Sequence, residues 1–505
     1  MGKTGLWRRR LARVLIILLS AVGSLAAVAQ EAHRDHATEQ LGKVSFAVSC
    51  EAGVREQFNR GVALLHSFAY TAAKDAFQEV AKQDPQCAMA LWGIAMSYFH
   101  QLWEPPLATA DISSGQKEIE LAQQIGTNSE RESGFIEALS VIYKDAGAVP
   151  YSVRASNYER AMRDVALANP KDVEAQVFYA LALLANASPT DKSHARQKQA
   201  ADILEPLDRP FPQHPGIPHY LIHAYDNAEM ANRGLPAARA YSQIAPAAPH
   251  ALHMPSHIYT RLGLWDESIA ANTAARKAAH QQGDAGEELH AMDYLVYAYL
   301  QTGRDNEAAQ IIRDLKKMPV LAMSDFKVAY ASTAMPIRYA VERQQWEAAG
   351  GSIAASGAPP QVVAIAVWAR GMGMARGGQA SIARREAAQL RQIEGKLRES
   401  GNGYWATQTT ILRREVEVWC AQADHQFEEA AALMRKVADD EDAIEKLPVT
   451  PGAIIPAREQ LGELLLEQKQ PALAMKEFEA TLANTPGRRG ALQGATLAAQ
   501  LSGPR

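Results

Sequence analysis

Two stretches near opposite ends of the chain share one spacing of small, aromatic and proline residues. In each stretch a glycine inside an apolar helical pattern is followed by an alanine, a phenylalanine and a proline at identical offsets. Small residues let two helices approach closely, the aromatic ring fills the space between them, and proline ends the second helix. The shared positions are Gly61, Leu64, Ala73, Phe77 and Pro85 in the first stretch and Gly462, Leu465, Ala474, Phe478 and Pro486 in the second.

These offsets are those of the tetratricopeptide (TPR) repeat, a helix–turn–helix unit of about 34 residues. Gly263 and Gly303 mark two further turns, and with Pro246 they predict repeat windows starting near residues 215, 249 and 289. Residues 90–210 and 320–440 carry less regular helical patterns, and the alternating pattern of β-strands is essentially absent. The sequence therefore predicts an all-α, TPR-like α-solenoid, a right-handed superhelix of helix-turn-helix repeats.

The predicted organisation follows from these windows, because 505 residues exceed what one ordinary hydrophobic core contains. We expect a signal peptide and a flexible mature N-terminus, then three groups of helical repeats and a C-terminal repeat with a tail. The corresponding ranges are 1–29, 30–50, 51–210, 211–322, 323–440 and 441–505.

Residues 1–29 have the composition of an export signal. Four arginines between positions 8 and 13 precede the apolar run LIILLSAVGSLAAV, and Ala27-Val28-Ala29 provides a small-residue cleavage site. No later stretch is long and apolar enough to span a membrane, and a net charge of −4 gives no indication of nucleic-acid binding. We expect an exported protein, periplasmic or secreted, with no stable membrane insertion of the mature chain.

The three cysteines bear on the same prediction, because export permits disulfides. Cys50 and Cys87 are the natural pair, which leaves Cys420 over. The alternative is three buried free thiols.

Histidine is concentrated in the central windows, where six of the 14 histidines fall between positions 214 and 257. In the first helix of a TPR repeat, the second, fifth, ninth and twelfth residues share the face that lines the concave groove. In three successive windows His and Asp occupy most of these positions. We predict metal ligands at His219, His223, Asp226, His253, His257, His290 and Asp293, with groove residues for a partner at His250, Tyr259, Thr260 and Tyr297.

Pro255 complicates the register of the window that starts at 249. A proline inside a helix removes a hydrogen bond and kinks it, whereas a helix that begins at Pro255 would use the favoured first position. In the second case His250 and His253 lie on a loop and only His257 is helical.

Three functions fit this pattern. Imidazole ligands suit Zn, Cu, Ni or Fe, so the groove is expected to hold zinc or another divalent transition metal. Repeat grooves also bind extended protein or peptide partners, and this binding or scaffold role is the leading interpretation. A metal-dependent hydrolase is the alternative. For His66, His100, His214 and His280 a packing role is favoured, because histidine is intermediate in burial.

Several motifs resemble those of a group of exported bacterial TPR-containing proteins. They are HPGIPHYLIHAYD, PHALHMPSHIYTRLGLWDESIAAN, LLHSFAYTAAKDAFQEV, CAMALWGIAMSYFH and REQLGELLLE. The resemblance covers most of the mature chain and implies a TPR-like helical solenoid. It implies no particular biochemical activity.

Overall fold

The computed structural model describes residues 39–102, 107–319 and 321–503. Residues Leu41–Arg505 form one compact unit. The expected signal peptide, 1–29, and residues 30–38 of the expected flexible terminus, 30–50, lie outside the described residues. Every regular element in the described ranges is helical and none is a strand, so the all-α prediction is confirmed. The domain boundaries within the repeat array remain predictions.

Helices of the first half of the unit pack as successive antiparallel neighbours. After a short 3₁₀ turn at Ala52–Val54, they are α1 Arg55–His66, α2 Tyr70–Gln83, α3 Ala88–Met96, α4 Thr109–Ile125, α5 Glu130–Tyr143, α6 Tyr151–Ala168, α7 Val173–Ala185, α8 Ala195–Asp208, α9 Gly216–Tyr225, α10 Ala231–Ile244, α11 Pro249–His253 and α12 Pro255–Leu262.

The same pairing continues through the second half. Its helices are α13 Trp265–Gln282, α14 Ala285–Gln301, α15 Asp305–Leu315, α16 Phe326–Glu342, α17 Trp346–Gly350, α18 Pro360–Arg376, α19 Ala380–Glu399, α20 Gly403–Ala423, α21 Phe427–Asp442, α22 Ala457–Glu467, α23 Pro471–Asn484 and α24 Arg489–Ser502. In the described residues no helix is both long and apolar enough to cross a membrane.

The glycines of the repeat pattern are points of close helix approach. A Cβ atom on Gly462 of α22 would lie 2.6 Å from the ring of Phe478 on α23, and one on Gly61 would lie 2.8 Å from the ring of Phe77. Both phenylalanines are fully buried. The same glycine–phenylalanine contact therefore closes a helix pair at each end of the array, as the spacing predicts.

Gly462→Ala is expected to destabilise the protein, because a methyl group has no room against Phe478. Overpacking costs ~1–3 kcal/mol, which exceeds the gain of up to ~1 kcal/mol in helix propensity. Gly395→Ala is the matched control: a Cβ there meets nothing within 4 Å, so it should stabilise. Denaturant unfolding of both variants measures the difference, and equal stabilisation by the two alanines would contradict the close approach.

The central histidine-bearing segments are first helices of successive pairs, α9, α11–α12 and α14. Pro255 divides the second of these into two helical pieces. His250 and His253 lie on α11, and His257 lies on α12, where its amide donates to the carbonyl of Met254 at 3.1 Å. Both alternatives for Pro255 are thus partly realised: a helix starts at the proline, and the preceding histidines are helical as well.

Residues 444–456, between α21 and α22, form an inner segment that runs along these first helices. Tyr294 of α14 donates to the carbonyl oxygens of Pro448 and Thr450, at 3.3 and 3.2 Å. Arg338 of α16 donates to those of Gly452 and Ala453, at 3.0 and 2.9 Å. Side chains of the repeats therefore bind the backbone of a non-helical stretch of the same chain.

Candidate metal centre

Six histidines of the central helices are brought together inside the protein. Their side chains are 0–8 % exposed; they are His219 and His223 on α9, His250 and His253 on α11, His257 on α12, and His290 on α14. The sequence predicted that these side chains face the concave groove of the repeats, and in the structure they are buried. Packing of α9, α11, α12 and α14 against each other, together with the inner segment, covers that face of the repeats.

The histidines form two triads rather than one coordination sphere. Triad 1 is His219, His223 and His250, and triad 2 is His253, His257 and His290. In each triad one ring nitrogen from every member lies within 4.8 Å of the others. The predicted metal ligands His219, His223, His257 and His290 are divided between the two triads. His250, expected to contact a partner, belongs to triad 1.

Hydrogen bonds fix the tautomers of two members of triad 2. Asn272 uses its amide nitrogen to donate to the carbonyl of Ser268 at 2.8 Å, so its side-chain oxygen accepts from His253 Nδ1 at 2.6 Å. His257 Nδ1 donates to the carboxylate of Asp226 at 2.9 Å. With the proton on Nδ1 in both rings, each Nε2 carries a lone pair. These two Nε2 atoms lie 3.1 Å apart.

Burial keeps both of these rings neutral. Desolvation lowers the pKa of His253 well below its ordinary value, and nearby His257 and His250 lower it further. Burial also lowers the pKa of His257 to about 4, although Asp226 opposes the shift. Two lone pairs therefore face each other with no proton between them at neutral pH. A cation between the two nitrogens converts this repulsion into coordination, and neutral imidazole is the form that binds metals.

His290 supplies the third imidazole of triad 2. Its ring centroid lies 4.2 Å from that of His253, and burial lowers its pKa well below the ordinary value. Three neutral imidazoles from three helices leave at least one position open on a tetrahedral ion, the arrangement typical of zinc sites that exchange a ligand.

Triad 1 has a different hydrogen-bond pattern. His219 Nδ1 donates to the carbonyl of His66 at 2.5 Å, which leaves a lone pair on its Nε2. The Nε2 of His223 lies 3.2 Å away, and the Nδ1 of His223 has no hydrogen-bond partner among the described residues. His223 can therefore donate from Nε2 to His219, or turn that nitrogen toward an ion. The hydrogen-bond geometry of triad 1 is therefore weaker evidence for a bound cation than that of triad 2.

Asp226 supports the centre from outside the two triads. Besides His257 it accepts from Arg261 at 2.8 Å and from Lys446 of the inner segment at 2.7 Å. Burial would raise the pKa of Asp226, but Lys446 and Arg261 outweigh it and hold the pKa well below the ordinary range. Its position is that of a carboxylate that orients a metal-binding imidazole. Asp226 was predicted as a metal ligand, but it belongs to neither triad.

Asp293, the other expected carboxylate ligand, lies outside both triads. Its nearest cation is Arg338, at 3.9 Å between Nε and Oδ1, and neither carboxylate oxygen has a hydrogen bond within the described residues. Burial raises its pKa to about 6, although Arg338 opposes the shift.

The residues expected to contact a partner also have neighbours within the chain. Thr260 is buried beside Ser268, with 3.4 Å between their hydroxyl oxygens. Tyr297 is buried and accepts from Arg488 at 3.4 Å. Tyr259 is partly buried against the hydrophobic core of the first half. None of the three belongs to a triad.

Two residues of the centre were not anticipated. Asn272 lies on α13, the second helix of its pair, where only first helices were expected to contribute. Tyr294 is buried, and its hydroxyl lies 3.5 Å from both ring nitrogens of His257. The sequence offered no signal for Asn272, because its burial is seen only in the structure. Tyr294 precedes the expected groove residue Tyr297 by one turn of the same helix.

In a third buried cluster, formed by His66, Glu174 and His214, every histidine ring nitrogen has a hydrogen-bond partner. Glu174 accepts from His66 Nε2 at 2.8 Å and from His214 Nε2 at 3.0 Å. The other nitrogen of His66 is bonded to Tyr220 and that of His214 to the amide of Gly216. All four ring nitrogens have partners, in accordance with the packing role expected for His66 and His214.

A cavity of about 130 Å³ reaches His223 of triad 1 and Asp226, the carboxylate that supports triad 2. Its walls include His223, Asp226, His194 and Lys446. Small polar molecules that enter this space meet an imidazole of triad 1.

A larger cavity, of about 330 Å³, lies along the inner segment and contains a pair of buried acids. Glu415 accepts from Trp368 Nε1 at 2.6 Å, and Glu441 accepts from the amide of Ala457 at 2.6 Å. Burial raises the pKa of Glu415 well above its ordinary value and the pKa of Glu441 to about 7. A neighbouring carboxylate raises each pKa further: Glu441 acts on Glu415, and Asp442 acts on Glu441.

Glu441→Gln is expected to change how stability depends on pH. The unfolded chain releases this proton near pH 4.5, whereas the folded protein holds it to about pH 7. The free energy of unfolding therefore falls as pH rises through that window, by at most ~3 kcal/mol at 1.36 kcal/mol per pKa unit. Glutamine keeps the hydrogen-bond acceptor and removes this loss.

The variant should thus be more stable than the wild type at pH 8 and nearly equal to it at pH 4.5, as measured by urea unfolding. Glu428→Gln, on the exposed side of the same helix, is the control and should leave the profile unchanged. Parallel pH profiles for Glu441→Gln and the wild type would contradict the raised pKa.

The cysteines lie near the start of the described region and in α20. Cys50 and Cys87 are joined by a disulfide, with 4.8 Å between their Cα atoms. Cys420 is buried and free. The bridge ties the segment before α1 to the start of α3.

No protein-family model matches the sequence, and no curated protein sequence matches it. Similar solved structures include the TPR domain of P58(IPK), at 12% identity and TM-score 0.24, covering 89% of this chain and 98% of that one. Yeast Tom70 is 11% identical, with TM-score 0.32 and 88% of each chain covered. A monomeric IFIT1 variant is 12% identical, with TM-score 0.36 and coverage of 90% and 96%. The helix pairs of the chain itself define a helical-repeat protein of TPR-like architecture.

Proposed function

We propose that this protein binds a divalent transition metal through the imidazoles of His253, His257 and His290. The observation that carries the proposal is the pair of Nε2 lone pairs 3.1 Å apart, each fixed by a hydrogen bond on the opposite side of its ring. An all-imidazole set suits zinc, copper, nickel or iron. Three protein ligands are the number typical of an exchangeable zinc site.

The triad is preorganised for this role. Asn272 and Asp226 orient two of its rings, and Arg261 and Lys446 in turn hold Asp226. Supporting hydrogen bonds of this kind raise metal affinity by fixing the tautomer and direction of each ring. A buried polar cluster without a ligand would cost free energy.

Elemental analysis of the full chain, purified without a histidine tag, tests the proposal. Near-stoichiometric metal is expected in the wild type. The double variant His253→Ala/His257→Ala should lack the ion that triad 2 binds. His280→Ala is the control, because that side chain is 76% exposed and bonded to Glu288. Metal that remains substoichiometric after loading with zinc, copper or nickel would refute the proposal.

Binding of a protein or peptide partner by the repeats is a separate part of the proposed function. This role is supported by the hydrogen bonds from Tyr294 and Arg338 to backbone carbonyl groups of the inner segment. A peptide that uses the same donors must displace residues 444–456. Competition by a synthetic peptide of that sequence would support the role, and partner binding unaffected by the peptide would place it on another surface.

A metal-dependent hydrolase is the second candidate function. It is favoured by the open coordination position of a three-imidazole site and by the cavity that reaches His223 and Asp226. Hydrolysis of an activated ester by the zinc-loaded protein should then disappear with His253→Ala. Equal rates in the wild type and the variant would eliminate this candidate.

We propose export as the cellular context, to the periplasm or the exterior. Supporting features are the signal-like composition of residues 1–29 and the Cys50–Cys87 disulfide, since such bridges persist in oxidising compartments. Fractionation of cells that express the full chain tests this, and retention of the uncleaved chain in the cytoplasm would contradict it.

A further inference from the structure

We propose that triads 1 and 2 form one two-metal centre that takes a small anion, such as hydroxide, as an additional ligand. The inference rests on the proposed metal binding and extends it from one ion to two. It assigns the second ion to His219, His223 and His250, and it defines the chemical class of the exogenous ligand.

The two triads adjoin each other in the core. Ring centroids of His223 and His257 are 6.0 Å apart, and those of His250 and His253 are 6.1 Å apart, one ring of each pair coming from each triad. The short helix α11 carries a ligand for both triads, so their separation is fixed by a single turn of backbone.

Triad 1 has the features of a ligand set even though its protons can be arranged without an ion. Its rings approach as closely as those of triad 2, with 3.2 Å between the Nε2 atoms of His219 and His223. The tautomer of His219 is fixed by the carbonyl of His66. The hydrogen bond between His219 and His223 still leaves the buried Nδ1 of His223 without a partner among the described residues.

The charge balance requires an anion. Two divalent ions bring four positive charges, and six neutral imidazoles bring none. The carboxylates next to the triads are already paired: Asp226 with Arg261 and Lys446, and Glu287, a neighbour of His250, with Lys327. Uncompensated charge in a protein interior is costly. A small anion bound to the open metal positions supplies part of the missing charge.

The cavity beside His223 offers such an anion a route. At about 130 Å³ it admits hydroxide, azide or a small oxyanion but not a large organic substrate. Lys446 and His194 contribute donors to its walls, and Asp226 and Glu445 contribute carboxylates, so the attraction for an anion comes from the two metal ions. Hydroxide held between two metals is a strong nucleophile, which links this centre to hydrolytic chemistry.

Metal content of the full chain separates the inference from the proposed function. Two copper or zinc ions per chain are expected in the wild type, one in His219→Ala (triad 1), one in His290→Ala (triad 2), and two in the exposed control His280→Ala. One ion in the wild type overturns the two-metal centre but leaves the proposed function standing. No bound ion overturns both. His219→Gln and His290→Gln, of more similar volume, repeat the measurement if an alanine variant does not fold.

Azide is the probe for the anion. With the copper-loaded wild type, a new charge-transfer absorption is expected that saturates at one azide per two copper ions. In His219→Ala the stoichiometry should become one azide per copper, with weaker binding because one cation is lost. Absence of a spectral change, or one azide per copper in the wild type, would overturn the proposed shared anion.

Discussion

Addition of zinc to the metal-free protein is expected to raise its free energy of unfolding by about 4 kcal/mol when free zinc is a thousandfold above its dissociation constant. The unfolded chain does not hold His253, His257 and His290 together, so the ion binds the folded state preferentially. Removal of the metal with a chelator should reverse the gain. Thermal unfolding followed by circular dichroism, with and without zinc, measures the shift.

The double variant His253→Ala/His257→Ala separates this effect from weak binding at the surface. Zinc should not raise the free energy of unfolding of this variant through triad 2, whereas His280→Ala should gain as much stability as the wild type. If the double variant and the wild type gained the same stability, the stabilising ion would lie elsewhere.

Arg488→Met is expected to destabilise the protein by about 3–5 kcal/mol, the cost of breaking a buried ion pair by removing one partner. Arg488 is fully buried and donates to Glu459 at 2.5 Å, to Glu342 at 3.0 Å and to the carbonyl of Ile454 at 3.2 Å. Without the guanidinium, two buried carboxylates lose their counter-charge. The inner segment also loses one of its anchors to the C-terminal repeat.

Arg391→Met is the control for this prediction. That side chain is 68% exposed and bonded to Glu417, and exposed ion pairs contribute only about 0–1 kcal/mol. Urea unfolding should therefore separate the two variants by several kcal/mol. Equal losses would show that the buried network around Arg488 contributes no more than a surface pair.

The helical array was predictable because its signals are local. A glycine, an alanine, a phenylalanine and a proline at fixed offsets determine how close two consecutive helices come and where the second one ends. Gly462 against Phe478 and Gly61 against Phe77 are the contacts that this spacing predicts. The helix pairs at the windows near 215, 249 and 289 follow in the same way from Gly263 and Gly303.

The candidate site was predictable only in part. Histidines three or four residues apart on successive first helices were correctly expected to come together, because helical periodicity determines which residues share a face. Their burial was not predictable, since it depends on residues 444–456, which lie about two hundred positions further along the chain. The division into two triads was equally inaccessible, because it depends on side-chain directions at the break before Pro255.

The roles of the residues that support the triads were also not predictable from the sequence. Lys446 and Asp226 are 220 positions apart, and the hydrogen bond between them exists only in the folded array. Asn272 comes from the second helix of its pair, and what identifies its role is the bond from its amide to Ser268 that turns its oxygen toward His253. A pattern of residue types along the chain contains neither fact.

The most direct test of the account is anomalous diffraction from crystals of the zinc-loaded protein, recorded at and below the zinc absorption edge. An anomalous peak is expected between His253 and His257, about 2.1 Å from the Nε2 atom of each and within reach of His290. A fully loaded crystal with no peak at that position, or with zinc only at exposed residues such as His280, would contradict the claim that the facing lone pairs of His253 and His257 are a metal site.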